Sequence, residues 1–404
     1  MSTLNNYISK NYYTLILCAI VLLLPYLIVI PNILVIILVL LLFKDIFLQK
    51  RLALCITRYK YSIPFVLLFV IYAISTLYSS DTKEALAALE RRIPFLILPL
   101  SVFIMPLSRR NIETIFLTFI LSVVLCCIIT LFLTTIYFVN HPEEYYLEKA
   151  LWYLPQPINF HAPYLALFLA ISNILCFYFF RERKRKFVII LAFIINNLFL
   201  ILISSRTALL TNWIFIIGVS SYYFYQRKGI AVTLLNLLVI GTILVFSYFN
   251  VPYLHTKLSK LTETAYGVNQ RTVSAKAALE VFQSSPLWGV GLGDIQAELN
   301  QRLSDGKYVN YNVHNQYLHE LMTYGLVGFS CFLVIFMVGY QKAISHLDIP
   351  FLLFLTTFLM LFLTEVILAR YKGIMVFSLF YPLLLNLNLI NTSKSMDNKN
   401  QGSK

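Results

Sequence analysis

Apolar runs of roughly 17 to 25 residues, parted by short polar breaks, recur along nearly the whole chain. A helix of about 20 apolar residues crosses the ~30 Å hydrocarbon core of a bilayer with its backbone polar groups satisfied inside the segment. The pattern therefore predicts an all-α, polytopic membrane protein with about 12 transmembrane helices. The spans fall near residues 12–30, 32–49, 62–79, 93–107, 112–139, 161–180, 187–204, 207–226, 230–249, 316–341, 350–368 and 372–390. Pro31 alone parts the first two, and Lys44 with Asp45 shortens the second. Residues 1–404 then form a single integral membrane domain, with a cytoplasmic tail at 391–404.

Composition sharpens this reading. With 59% apolar and 12% charged residues, the chain lies far from ordinary water-soluble domains, and it carries too much apolar surface to be disordered. A net charge of +14 would suggest nucleic acid in a soluble protein, but here the basic residues gather in short loops, as in the cluster Arg181, Arg183, Lys184, Arg185 and Lys186. With both termini cytoplasmic, the inside segments hold 19 of the 32 Lys and Arg, and six of the remainder sit in one long outside loop where charge is a weak determinant. Membrane lipid is then the expected partner of the basic loops, and nucleic acid is not. No small-residue cleavage site follows the first apolar run, so that helix is expected to stay as an anchor. Of the six cysteines, five fall in spans and Cys55 in an inside loop, a distribution that suggests neither disulfides nor a metal site.

Two outside stretches exceed the minimal breaks: 140–160, and the much larger 250–315, which is expected to contain short helices. In the larger loop, Asn269 reads as the N-cap of a helix running to about Gln283, with Val273, Ala277 and Val281 on one face and Ser284, Ser285 and Pro286 ending it. Gly289, Gly291 and Gly293 follow as a turn whose backbone can approach another surface closely.

P-loop, H-E-x-x-H and G-x-S-x-G signatures are absent, so the candidate chemistry rests on ionisable residues near the outer helix ends. Arg206, in Ser204-Ser205-Arg206-Thr207, lies at a tight junction between two spans. There it either snorkels as an interfacial anchor or grips an anion beside a helix N-terminus. Arg271 falls in the first turn of the expected loop helix, as an anion ligand or a solvated surface residue. His314 precedes Asn315-Gln316-Tyr317-Leu318 where the tenth span begins. A helix N-terminus disfavours imidazolium, so this ring suits proton acceptance or the holding of a hydroxyl, the alternative being a hydrogen-bonded interface histidine. Gly325 and Gly328 beyond it permit close helix packing.

Ser205-Arg206, Arg271, Pro286 with its three-glycine turn, and His314-Asn315-x-Tyr317-Leu318 followed by Gly325 and Gly328 together resemble the O-antigen ligase and polymerase family. The resemblance covers about residues 200 to 330 and is most specific in the H-N-x-Y-L stretch. It implies a GT-C type glycosyltransferase of the bacterial inner membrane, its active site facing the periplasm and its donor an undecaprenyl-pyrophosphate-linked glycan. It further implies Arg206 and Arg271 at the donor pyrophosphate and His314 at the acceptor hydroxyl, with no cofactor and no metal. Asn315, Tyr317, Gly289, Gly291, Gly293 and Glu365 are possible supports. Preorganised cations in a low-dielectric pocket stabilise charge developing on a departing pyrophosphate, and attack from the opposite face predicts inversion.

Other charged residues are less specific. Glu365, followed by Arg370 and Lys372, reads as an internal ion pair of a helix hairpin. Glu90, Arg91 and Arg92 read as an amphipathic outer segment near lipid phosphates, and His161 with Tyr164 as lining for an acceptor groove, the alternative for the histidine being a locally satisfied interfacial residue. Four activities compete: a ligase to the lipid A core, a polymerase using a second lipid-linked glycan, a protein O-oligosaccharyltransferase, and a transporter of such lipids. A transporter should place charge near the bilayer midplane, whereas these charges cluster at one face. The lack of an added outer domain after the twelfth span leans the expectation towards lipopolysaccharide ligation.

Overall fold

The computed structural model describes residues 2–48, 58–203, 205–250, 265–303 and 312–401. Cys55 and much of the larger loop, 251–264 and 304–311, lie outside the described residues. All regular structure among the described residues is helical, as bilayer-spanning backbone requires. Among the described residues seven helices are long and apolar enough to cross a membrane, and four more apolar helices are shorter.

Two compact units emerge, one from residues 1–119 with 266–404, the other from 120–265. The first contains α1 (Ser2–Leu23), α2 (Val29–Phe43), α3 (Ile63–Tyr78), α4 (Thr82–Ile104) and the start of α5 (Arg109–Asn140). After residue 266 it holds most of α11 (Ala265–Ser284), then α12 (Ile295–Arg302), α13 (Gln316–Ser345), α14 (Ile349–Phe362) and α15 (Tyr371–Gln401). The rest of α5, α6 (Leu147–Tyr153), α7 (Ala162–Arg181), α8 (Lys186–Ile203), α9 (Arg206–Lys228) and α10 (Ile230–Asn250) make the second.

In the first unit α4 packs along α15 and α3, and α3 along α13, around an aromatic core in which Phe65, Phe95, Phe354, Phe358, Phe377 and Tyr381 touch. The span expected at 93–107 begins earlier, at Thr82. Asp81 caps the helix, its Oδ1 accepting from the Glu84 N–H at 2.9 Å, and the charges that hid this start lie largely on a solvated face. Ala85, Ala88, Arg92 and Phe95 form the opposite, buried stripe. Arg92 therefore does not face lipid phosphates. It is 2% exposed, and its guanidinium carbon lies 5.4 Å from the Tyr72 ring centre. Arg91 stays outside and pairs with Glu84 at 2.7 Å.

Two further boundaries differ from expectation. The eleventh span was expected over 350–368, yet α14 stops at Phe362 after 14 residues, because the stretch that follows is held by side chains of another helix (below). The polar tail expected at 391–404 continues as helix through Gln401.

The second unit is tied internally by amides. Asn173 donates to Asn212 and Asn212 to Asn197, both at 2.9 Å, linking α7, α9 and α8, while Asn196 donates to Ser172 at 2.8 Å. Such bonds in apolar surroundings hold helices together. Replacing Asn212 with Leu severs two of them and should cost about 1 kcal/mol, read as a lower thermal midpoint of the full chain in detergent. Near α6, Lys149 and Tyr137 donate to Glu144, which holds its carboxyl below the usual range.

Candidate functional site

The larger loop folds onto a small core of its own. Ala277, Ala278 and Val281 of α11, Leu299 and Leu303 at α12, Val313, Met322 and Val366 are buried together, with Val273 packed at the margin. The face expected at Val273, Ala277 and Val281 is thus the packed one. Asn269 does not cap this helix, because α11 already runs at Ala265, and Arg271 lies in its second turn rather than its first. Arg271 is exposed and continues the stripe of Ser274, Ala278 and Val281 one turn beyond the packed portion.

The glycine turn enters the membrane helix itself. Gly325, at φ 61° and ψ −162°, breaks α13. In an unbroken helix the N–H groups of Leu326 and Val327 would bond to the carbonyls of Met322 and Thr323. Instead Leu326 donates to Pro286 at 2.8 Å and Val327 to Leu287 at 3.2 Å, while Val290 and Gly291 donate to Met322 and Thr323 at 3.0 Å. The turn is spliced into the gap, and these four backbone groups of α13 all find partners in it. A Cβ on Gly289 would overlap the Thr323 carbonyl, and one on Gly293 the Asp81 carbonyl, so the close approach expected of this turn is made against α13 and the α3–α4 corner. Asp294 fastens the same corner by accepting from the N–H groups of Ser80 and Asp81 at 2.7 and 2.9 Å. At Gly328 a Cβ would overlap the Tyr324 side chain one turn back in α13 and would come into contact with Ile71 of α3.

His314 stands at the head of α13 with a left-handed φ of 47°, a conformation uncommon for a residue with a side chain and one that gathers at functional sites. Its Nδ1 lies 3.3 Å from the Glu365 carboxylate. The pair is partly open, with side-chain exposures of 30% and 20%. Glu365 therefore meets His314 rather than closing a hairpin ion pair with Arg370 and Lys372. Lys372 donates to the Pro25 carbonyl at 2.9 Å, and Arg370 is exposed.

The three residues after His314 all reach the same neighbour. Asn315 caps α13, accepting from the Leu318 N–H at 3.0 Å, and donates to the Leu363 carbonyl at 3.5 Å. Gln316 accepts from the Leu368 N–H at 2.8 Å, and Tyr317 donates to the Leu359 carbonyl at 2.8 Å. The H-N-Q-Y run is thus a clamp on residues 359–368, which take in the end of α14 and the break that carries Glu365. Gln316, wholly buried, was missed in sequence because nothing there pairs it with residue 368.

Of the other expected residues, Arg206 is the first residue of α9 in the second unit, with Ser205 at the N-cap position; its side chain lies outside the described residues. His161 is exposed at the head of α7, and Tyr164 is buried at 5% exposure rather than lining an open groove.

Residues 190–333 match the family model for O-antigen ligase. Over this stretch the chain is similar to the O-antigen ligase family. The stretch runs from within α8 to within α13 and takes in Arg206, Arg271, the glycine turn, His314 and Gly325, leaving Glu365 outside. No curated protein matches the chain. The chain combines this similarity with seven helices, among its described residues, that are long and apolar enough to cross a membrane.

Proposed function

We propose that the chain is an O-antigen ligase of the bacterial inner membrane. It transfers a glycan from undecaprenyl pyrophosphate to the lipid A core oligosaccharide at the periplasmic face. The family match over 190–333 carries this reading, since the matched range takes in Arg206, Arg271 and His314. The His314–Glu365 pair supports it chemically. A hydroxyl of the acceptor attacks the anomeric carbon, the bond from that carbon to the pyrophosphate oxygen breaks, and the hydroxyl proton passes to His314. Glu365 orients the imidazole and stabilises the imidazolium that forms, the role a buried carboxylate plays beside a catalytic histidine. Arg206 and Arg271 receive the charge that develops on the leaving pyrophosphate, with inversion at the transferred sugar.

Reconstitution in liposomes with an undecaprenyl-pyrophosphate glycan tests the reading. Lipid A core is supplied in one arm and a second lipid-linked glycan in another. Transfer to the core is expected, and transfer only to the second carrier lipid would make the chain a polymerase. Arg206→Ala and Arg271→Ala should each lower turnover by roughly 100-fold, the loss of one charge-assisted contact in the transition state. Near-normal turnover in both would remove the proposed pyrophosphate site.

A further inference from the structure

Below the clamp lies a buried polar cluster that the proposed reaction does not use. Arg92 of α4 donates to the Ala88 carbonyl at 2.9 Å and packs over Tyr72 of α3. Glu320, His319 and Tyr324 of α13 lie within its electrostatic reach, at exposures of 1%, 6% and 0%. Among the described residues Arg92 Nε, Glu320 Oε2 and Tyr324 Oη have no hydrogen-bond partner. Charges so deeply placed in membrane helices are costly and mark a function by default.

Gln316 connects the cluster toward the site. Gln316 donates from Nε2 to Glu320 Oε1 at 2.7 Å and accepts at Oε1 from the Leu368 N–H at 2.8 Å. An amide between an ionised carboxylate and a backbone N–H can satisfy both in only one orientation, because the carboxylate only accepts and the N–H only donates. The Leu368 N–H holds the Gln316 oxygen, so the amide N–H faces position 320, where an acceptor completes the link. Arg92 is the cation that faces the Glu320 carboxyl within this cluster. Leu368 is three residues from Glu365, on the same short stretch between α14 and α15.

We infer that Arg92, Glu320 and Gln316 form a positioning relay that holds the 363–370 stretch, and with it the Glu365 carboxylate, against His314. None of the three touches substrate. The inference rests on the reading of His314 as proton acceptor.

The test uses the full chain in liposomes with the lipid-linked donor and the core acceptor. Gln316→Met keeps the volume and removes both hydrogen bonds. It should lower kcat by roughly 10- to 100-fold with the donor KM unchanged, the cost of a small misplacement at a reacting centre. In a Glu365→Gln background the same change should cost little more, since the relay acts through Glu365. Where a single change at Arg92 or Glu320 prevents folding, the paired Arg92→Met and Glu320→Leu variant removes both charges together. It should match the kcat loss of Gln316→Met, and Arg92→Met with Glu320→Gln, which retains an acceptor, should recover part of it. Wild-type kcat in Gln316→Met, a change confined to KM, or an undiminished loss in the Glu365→Gln background would each overturn the relay. Wild-type activity in His314→Ala would instead overturn the proton-acceptor reading, so the two failures are told apart.

Discussion

Replacing His314 should cost the reconstituted enzyme roughly 100- to 10,000-fold in kcat, or about 2.7 to 5.4 kcal/mol of transition-state stabilisation. Two substitutions separate the chemistry from the backbone. His314 holds φ at 47°, which alanine adopts with strain and asparagine with little, because a short polar side chain tolerates the left-handed region. If the imidazole takes the acceptor proton, His314→Asn and His314→Ala fall together even though only the second strains the chain. If the residue serves only to turn the backbone into α13, His314→Asn retains near-normal turnover and the catalytic assignment is lost. Glu365→Gln removes the charge 3.3 Å from Nδ1 but keeps the shape, so a smaller loss is expected. Donor retention by the variant proteoliposomes, measured with labelled lipid-linked glycan, should be unchanged in all three, because the pyrophosphate is assigned to the arginines.

The apolar runs made the helices legible, since a bilayer leaves a chain few other ways to satisfy its backbone. The H-N-x-Y-L stretch, the glycine turn and the packed face of α11 were legible for the same local reasons: a cap, a break and a period. What escaped depends on partners distant in sequence. The start of α4 is written in charges that look like loop, and only packing against Tyr72 shows that Arg92 faces inward while Arg91 faces out. Glu365 looked like the partner of its neighbours Arg370 and Lys372, yet a broken backbone turns it to His314, 51 residues away. Hydropathy extended α14 to residue 368, although the side chains of Asn315 and Gln316 take the backbone groups of Leu363 and Leu368. Asn269 fits the sequence rule for a cap but lies inside a helix that begins earlier. Gly325 was legible as a glycine that matters, but as a packing residue rather than the point where the helix opens.

That opening sets the second large effect. Gly325→Ala should destabilise the protein by more than about 3 kcal/mol and abolish transfer, for two separable reasons. At φ 61° and ψ −162° the backbone occupies a region that residues with a Cβ almost never adopt. The added methyl would also overlap the Leu287 carbonyl, which accepts from the Val327 N–H. Relieving the strain by closing the helix would re-form its own bonds at 326 and 327, but it would expel residues 286–291 and strand their backbone groups beside an apolar surface. Met322 would then lose its place in the core it shares with Val313, so the segment leading into His314 would loosen as well. Gly218, within α9, provides the contrast: a Cβ there meets nothing within 4 Å, and Gly218→Ala should stabilise its helix by about 0.5 to 1 kcal/mol. Thermal unfolding of both variants in one detergent, with transfer assayed in parallel, checks the pair. Equal midpoints would mean that the spliced turn carries no stability, and a stable Gly325→Ala protein with full transfer would mean that the broken helix is not needed to present His314.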